Sequence, residues 1–113
     1  MIDPGNQEYN ALEIAGFDLW NSCQECERWT LLTKNNFGHS TITINDELHN
    51  TEGLVTLQNF KDGEHPAATF DMSQTLNGRV AGATRTFIKD SPTSLVIEDK
   101  IEISEKTKLI TWQ

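Results

Sequence analysis

Two histidines lie close together in this chain, on either side of a short stretch with strand-like alternation. His39 precedes residues 40–45, and His49 follows them after a tight-turn pattern. Within the stretch, Ile42 and Ile44 are predicted to face one way and the intervening polar residues the other. Histidine nitrogens can bind a metal or hydrogen-bond a ligand oxygen. The spacing therefore predicts a polar strand face with an imidazole near each end.

A second chemical candidate is the pair of cysteines at positions 23 and 26, which forms a C-x-x-C motif. A zinc ribbon would need a second cysteine pair, and a thioredoxin-like site would need a βαβ pattern, which does not follow. If the segment is extended, Cys23 and Cys26 point to opposite faces, which disfavours a shared ligand role. We therefore expect two incidental thiols rather than a metal-binding or redox pair.

Composition bounds the classes of function. The 113 residues contain seventeen Asp and Glu against nine Lys and Arg, for a net charge of −8, and only 36% are hydrophobic. Such a chain forms one domain with a modest core. Its acidity argues against DNA or RNA as a partner, because phosphate binding depends on basic surface. No apolar run approaches the roughly 20 residues of a membrane span, so none is expected.

The elements that must position these residues are predicted to be strands. Residues 1–26 look mostly irregular, with at most one helical turn between Tyr9 and Trp20, and residues 27–113 are rich in strand patterns. The predicted strands cover 28–33, 40–45, 54–60, 67–72, 79–88, 94–103 and 108–112. Their lengths and spacings indicate an all-β fold, either an antiparallel β-sandwich or a large meandering sheet.

The tryptophans and the acidic residues also have predicted places. Trp29 and Trp112 lie among apolar residues and are expected in the core, whereas Trp20 could be a core residue or an exposed stacking platform. The acidic run at 98–102 is expected to be the solvated face of a strand. His65 precedes Pro66 and is expected to be a loop residue.

Several motifs, taken in order, resemble the heparinase II/III-like polysaccharide lyases. Members of that family share an Asp-x-Gly turn, an Asp-Leu-Trp-Asn loop, an Arg-Trp pair, a strand opening with His and Thr, and a His-x-x-x-Gly turn. The similar residues here are Asp3-Pro4-Gly5, Asp18-Leu19-Trp20-Asn21, Arg28-Trp29, His39-Ser40-Thr41 and His49-Asn50-Thr51-Glu52-Gly53, with Asp71, Arg85, Asp99 and Trp112 at matching strand positions. Position 4 is Pro where the family usually has an apolar residue such as Leu.

The resemblance implies that the chain is a portion of the family's C-terminal β-sandwich, a single domain over residues 1–113 that is cut at both ends. In the family, an α/α toroid of helices supplies the catalytic Asn or His and Tyr, so no catalytic residue is expected here, and Tyr9 is given no such role. Some members bind zinc through a His-rich segment, the Asp of the Asp-x-Gly turn and the His that opens the His-x-Thr strand. Only the last two correspond to residues here, Asp3 and His39.

The same resemblance gives each candidate residue two interpretations. His39 is either a ligand of a zinc ion in the full-length parent or a histidine hydrogen-bonded to backbone. His49 either lines a carbohydrate cleft or is an ordinary turn residue, and Trp20 is a second candidate for substrate binding. We expect His39 on the inner polar face of the sheet, and no zinc or other cofactor bound by the fragment.

The implied activity is β-elimination on a uronic-acid-containing polysaccharide by the full-length parent, in the periplasm or outside the cell. The implied partners are the acidic polysaccharide and the toroid domain, and the fragment itself is expected to be inactive. Residues 2–5 are polar and turn-like, so no signal peptide is expected within the chain. The alternative function is a non-catalytic carbohydrate-binding or structural β domain, whose signature would be a row of exposed aromatic residues.

Overall fold

The computed structural model describes residues 4–113, which divide into two compact units. Unit 1 consists of residues 4–52 and 108–113, and unit 2 consists of Gly53–Thr107. The strands are β1 (Ile42–Ile44), β2 (Thr56–Lys61), β3 (Ala67–Asp71), β4 (Val80–Ser91), β5 (Ser94–Ile103) and β6 (Ile110–Trp112). They form two antiparallel sheets, so the predicted all-β fold class is confirmed. The assignment of residues 1–113 to one sandwich domain stays a prediction.

Unit 2 is a meander in which each strand pairs with the next along the chain, in the order β2-β3-β4-β5. Runs of β-branched and aromatic residues favour these strands. Turn residues separate them, with Gly63 at a φ of 121° between β2 and β3, a conformation that favours glycine. The predicted strands at 54–60, 67–72, 79–88 and 94–103 are therefore confirmed, with boundary shifts of a few residues.

The register of unit 2 places most of its large apolar side chains on one face of the sheet, with Ile88 and Val96 on the other. Directly paired residues point the same way, and the pairs Leu57–Phe70 and Phe87–Ile97 mark this face. Phe70 and Phe87 meet edge to face, with ring centroids 6.0 Å apart. We call this the apolar face, and it consists of Leu57, Phe60, Phe70, Phe87, Leu95, Ile97, Ile101 and Ile103. Most of its outer members are exposed in the chain.

An ion pair lies within the apolar face. Arg85 and Asp99 are register partners on β4 and β5, and Arg85 Nε donates to Asp99 Oδ1 over 2.6 Å while Nη2 donates to Oδ2 over 2.8 Å. Their side chains are only 13% and 7% exposed. The prediction that the acidic run at 98–102 is a solvated strand face is therefore wrong at Asp99, because that residue alternates onto the opposite face from Glu98 and Lys100.

Unit 1 has much less regular structure. It contains one short helix, α1 (Tyr9–Ile14), two 3₁₀ turns at Glu27–Thr30 and Asn36–Gly38, and the small β1–β6 ladder. Leu19 and the three residues of β1 are its most buried side chains. Among the described residues, no helix is both long enough and apolar enough to cross a bilayer.

Two predictions for unit 1 are wrong. The segment 28–33 is a 3₁₀ turn followed by bends instead of a strand. Trp112 is 58% exposed rather than in the core, because within residues 4–113 β6 belongs to a two-stranded sheet with β1 that leaves much of that side chain exposed.

Candidate functional site

A cleft of about 330 Å³ in unit 1 brings together residues from several of the sequence motifs. It draws on the segments around the first 3₁₀ turn, the second 3₁₀ turn and the chain that follows β1. Both histidines singled out in the sequence line it. The residues that matter for its chemistry are Trp29, Lys34, Asn36, His39, His49 and Thr51.

Asn36 connects the second 3₁₀ turn to β1 and to the segment that follows β1. Its Nδ2 donates to Thr43 Oγ1 over 3.0 Å and to Glu47 O over 3.1 Å, and its Oδ1 accepts from the His49 amide over 3.0 Å. The side chain is only 8% exposed. A buried amide with three satisfied hydrogen bonds specifies one arrangement of the surrounding backbone, so the second 3₁₀ turn, β1 and the segment after β1 are locked to each other.

His49 is tied to the strand that precedes it. Its Nε2 lies 2.7 Å from the carbonyl oxygen of Ile42. A carbonyl oxygen only accepts, so Nε2 carries the proton in this contact. The imidazole therefore supports the segment that follows β1, and His49 also lines the cleft.

His39 ends the second 3₁₀ turn, and its side chain is half-buried at the same cleft. Its carbonyl oxygen accepts from the amide of Thr41 over 2.8 Å. His39 precedes β1 and is not part of the sheet, so the prediction that it lies on a polar sheet face is wrong. What the structure does show is that His39 and His49 line one cleft.

Trp29 forms a wall of the cleft instead of a core residue surrounded by strands. Its Nε1 donates to Cys23 O over 2.7 Å, and the guanidinium of Arg28 lies 5.0 Å from the ring centroid. The indole is half-buried. A partly exposed aromatic ring with a fixed orientation can stack on the apolar face of a planar or ring-shaped ligand.

Lys34 places a positive charge at the cleft. Its Nζ donates to Tyr9 Oη over 2.8 Å and to Asn6 Oδ1 over 3.2 Å, and it lies 4.6 Å from the Tyr9 ring centroid. The hydrogen bond from Lys34, followed by that from Asn6, lowers the pKa of Tyr9 below its ordinary value. An ammonium has three N–H donors, so one remains for an oxygen of a ligand.

Thr51 contributes a hydroxyl without a partner. Within the described residues, Thr51 Oγ1 is buried and makes no hydrogen bond, although the residue lines the cleft. Buried polar atoms in native proteins almost always have a partner. This atom is therefore suited to receive a hydrogen bond from, or donate one to, a molecule in the cleft.

Cys23 and Cys26 are not two incidental thiols, and the segment that carries them is not extended. Cys23 and Cys26 form a disulfide that closes a turn, with their Cα atoms 5.1 Å apart. The turn is held by a hydrogen bond from the Cys26 amide to Cys23 O over 3.0 Å. Opposite faces were predicted for an extended segment, and that condition is not met because the segment bends back on itself. As a disulfide, the pair offers no thiolate to a metal.

Gln24, one of the two residues between the cysteines, is bonded to the backbone of two residues that line the cleft. Gln24 Nε2 donates to His49 O over 3.0 Å, and Gln24 Oε1 accepts from the Thr51 amide over 2.9 Å. Sequence reasoning gave no signal for Gln24, because its partners lie 25 and 27 residues away. Glutamine in a turn is ordinary, and only these two contacts give Gln24 a role.

The remaining predicted site residues lie elsewhere. Trp20 is 61% exposed and does not line the cleft. Its ring packs edge to face on Tyr9, with centroids 5.4 Å apart, and its Nε1 donates to Glu13 Oε1 over 2.7 Å. Asp3 lies outside the described residues.

The described residues do not form a metal centre. Among residues 4–113, no group of three or more His, Cys, Asp or Glu side chains is arranged to hold an ion. Structural zinc takes four protein ligands and catalytic zinc takes three. His39 therefore has no set of zinc-binding partners within this part of the chain, and no chemical step is assigned to a metal.

Unit 2 has a polar groove of its own around Asp71. Asp71 Oδ1 accepts from the Ser73 amide over 2.8 Å and from Ser73 Oγ over 2.6 Å, and Gln58 Nε2 donates to Oδ2 over 3.1 Å. The hydrogen bonds from Ser73, side chain first, lower the pKa of Asp71. These contacts start the 3₁₀ turn at Ser73–Leu76, so Asp71 has a structural role there.

Comparison with known proteins adds no relative: no protein-family model and no curated protein matches this chain. The family resemblance in the sequence thus stays a prediction, and the cleft has to be interpreted from its own residues.

Proposed function

We propose that this chain is the β-sandwich portion of a heparinase II/III-like polysaccharide lyase, and that the unit 1 cleft contacts the acidic polysaccharide. The observation that carries the proposal is the position of His39 and His49. They belong to two separate motifs of the resemblance, and they line one cleft together with Trp29 and Lys34.

The chemistry of the cleft suits a sugar acid. The Trp29 ring offers an apolar surface to the face of a pyranose ring. The remaining N–H of Lys34 can pair with a uronate carboxylate, since charge-assisted hydrogen bonds are the stronger kind. The Thr51 hydroxyl, which has no partner among residues 4–113, can bond a sugar hydroxyl. Because the chain has a net charge of −8, it needs a local cation such as Lys34 to bind an acidic polymer.

Elimination itself needs more than this cleft supplies. A lyase requires a base for the proton beside the carboxylate, a group that neutralises the carboxylate and an acid for the leaving oxygen. In the described residues, His49 Nε2 is engaged with Ile42 O and Tyr9 is engaged with Lys34. In the family that this chain resembles, the toroid domain supplies the catalytic groups, so we assign catalysis to the toroid of the parent and substrate contact to this chain.

The proposed location is the periplasm or the cell exterior. Disulfides persist in oxidising compartments and are rare in the bacterial cytosol. The Cys23–Cys26 bond supports the proposed location on that ground.

A titration of the isotope-labelled chain with alginate and heparan oligosaccharides tests the proposal by NMR. We expect shifts of the Trp29 indole and Thr51 amide signals, and about fivefold weaker binding in Lys34→Gln, because an exposed ion pair contributes up to about 1 kcal/mol. Lys61→Gln, on exposed β2 of unit 2, is the matched control and should bind normally. Absence of shifts with every acidic oligosaccharide would remove the support for a substrate cleft.

An elimination assay separates contact from catalysis. The purified chain should give no unsaturated product, measured by ultraviolet absorbance, from either glycan. Turnover by the isolated chain would overturn the assignment of catalysis to the toroid.

A second candidate, a non-catalytic carbohydrate-binding domain, is favoured by the exposure of Trp20 and Trp112. Such a domain would bind neutral sugars on these rings. Tryptophan fluorescence quenched by neutral oligosaccharides, and lost in Trp20→Ala or Trp112→Ala, would favour this candidate over the lyase. Quenching by acidic oligosaccharides alone, retained in both variants, would favour the lyase.

A further inference from the structure

The disulfide turn is connected to two separate walls of the cleft. The carbonyl of Cys23 accepts the Trp29 indole N–H, and Gln24 bonds the backbone at His49 and Thr51. We propose that the Cys23–Cys26 disulfide is a redox-controlled clamp, in which a dithiol reductant opens the turn and releases the cleft wall at residues 49–51. This inference stands apart from the proposed function, because it concerns the order of the cleft and not its ligand.

Gln24 acts on the main chain of the wall. Its amide group donates to His49 O and accepts from the Thr51 amide, so both ends of the side-chain amide are engaged. Thr51 also lines the cleft, and its hydroxyl has no partner in the described part of the chain. The position of that hydroxyl therefore depends on Gln24.

The disulfide keeps Gln24 in place. Besides the cross-link, the backbone of the turn makes hydrogen bonds from the Cys26 amide to Cys23 O over 3.0 Å and from the Trp29 amide to Cys26 O over 3.2 Å. The side chain of a glutamine loses substantial rotamer freedom when it is fixed. A closed turn lowers that cost because the backbone beneath Gln24 is already ordered, and cleavage of the S–S bond restores its freedom.

The geometry of the pair also suggests which sulfur is attacked. Cys23 is exposed and Cys26 is half-buried. A thiolate of the reductant attacks Cys23 Sγ, and the electron pair of the S–S bond leaves on Cys26 Sγ. The Cys23 amide lies 3.0 Å from Cys26 Sγ and donates to it, so the departing thiolate meets a hydrogen-bond donor.

The second thiol of the reductant completes the exchange. It attacks the reductant's own sulfur in the mixed disulfide, closes a cyclic disulfide and releases Cys23 as a thiolate. The two protons from the reductant's thiols end on Cys23 and Cys26. In total, two electrons pass from the dithiol to the protein, and one S–S bond is exchanged for another.

Amide hydrogen exchange, followed by NMR with and without dithiothreitol, tests the clamp. Reduction should accelerate exchange at the Thr51 amide and the Trp29 indole about tenfold, since each loses a hydrogen bond of about 1–1.5 kcal/mol. The Met72 amide, which donates to Ala83 O in unit 2, should not change. Thiol labelling checks that reduction is complete. An unchanged Thr51 amide in the fully reduced protein, or a disulfide that dithiothreitol does not reduce, overturns the proposal.

Variants of Gln24 distinguish the loss of the Gln24 hydrogen bonds from a general loss of order in unit 1. In oxidised Gln24→Ala, Thr51 should already exchange about tenfold faster, and reduction should add little there while still affecting the Trp29 indole. Gln24→Glu keeps the acceptor for the Thr51 amide and should stay close to the wild type at that position. Equal acceleration of Thr51 by reduction in wild type and Gln24→Ala would show that the disulfide acts by another route, which overturns the role of Gln24.

Discussion

Units 1 and 2 satisfy their backbone polar groups in different ways. Unit 2 does so with long ladders between neighbouring strands, which need only strand-forming residues in alternation. Unit 1 uses single side chains such as Gln24 and Asn36, each bonded to backbone far away in the chain. A ladder tolerates many substitutions, whereas a bond made by one amide group depends on that residue alone. The candidate site lies in the unit with the second kind of construction.

The two units also differ in what they bury. Unit 1 buries Asn35, Asn36 and Thr43 beside aliphatic side chains, while unit 2 leaves much of its apolar face exposed in the chain. All three tryptophans lie in unit 1. Tryptophan fluorescence therefore reports on unit 1, and the β signal in circular dichroism comes mostly from unit 2, so the two can be followed separately.

The largest effect is expected at Asn36. Asn36→Leu keeps a similar volume but leaves the His49 amide, Glu47 O and Thr43 Oγ1 without their partner. Burying these groups unsatisfied should lower the free energy of unfolding by about 4 kcal/mol. Urea unfolding followed by tryptophan fluorescence measures the change. Asn59→Leu on exposed β2 is the matched control and should change stability by less than about 0.5 kcal/mol. Equal effects of the two would abolish the contrast between the units.

Asp99 is an exception within unit 2, because its ion pair with Arg85 is a specific contact between two side chains. Asp99→Ala leaves the Arg85 cation largely buried without its partner and should cost about 3 kcal/mol. The double variant Arg85→Met, Asp99→Leu should recover most of this loss, since an apolar pair fits the apolar face. Urea unfolding followed by circular dichroism measures both. A double variant as unstable as the single one would mean that the pair is needed for more than charge balance.

Two glycines give a smaller contrast. At Gly38 in unit 1, an added Cβ would overlap the backbone carbonyl of Leu32, whereas at Gly82 in unit 2 it would lie 3.3 Å from Glu102 Oε2 at the end of a flexible side chain. Gly38→Ala should therefore cost about 2 kcal/mol through overpacking. Gly82→Ala should change stability by less than about 0.5 kcal/mol, because the Glu102 side chain can move. Thermal unfolding of the two variants measures both changes in stability. A Gly38→Ala variant as stable as Gly82→Ala would indicate that the second 3₁₀ turn is packed more loosely than the structure shows.

The smallest effect concerns the pH dependence of unit 2. The folded-state pKa of Asp71 is lowered from its ordinary value of 3.8, chiefly by Ser73. Asp71 therefore adds stability above about pH 4, and this contribution is lost as the pH falls through the lowered pKa. Ser73→Ala should raise the pKa of Asp71 toward 3.8 and flatten that acid-side dependence. An NMR titration of the Asp71 carboxyl carbon measures the pKa, and an unchanged value would assign the shift to other groups.

The sequence was most informative where structure follows local pattern. Alternation and turn residues predicted the four strands of unit 2, because period-two patterning is visible in the residues themselves. The same reasoning failed at 28–33, where β-forming residues adopt a 3₁₀ turn. There the disulfide and the bonds of Trp29 to Cys23 O and of Asn35 to Trp29 O override local preference.

The candidate site likewise contains residues that the sequence indicated and residues whose roles depend on the fold. His39 and His49 could be singled out from their motifs, although their predicted setting on a polar strand face was wrong. Lys34, Thr51 and Gln24 gave no comparable signal, because their roles depend on partners brought close only by the fold. Trp20 was a candidate in the sequence but lies outside the cleft.

By itself, the sequence determined the all-β class, the strands of unit 2 and the two histidines worth examining, since each depends on residues near one another in the chain. Only the tertiary structure decided that Cys23 and Cys26 are bonded, that Asp99 is buried against Arg85 and that Gln24 reaches the cleft wall. The physical reason is the range of the interactions. Strand periodicity is imposed residue by residue along the backbone, whereas a hydrogen bond or an ion pair between distant segments exists only once folding has brought its two groups together.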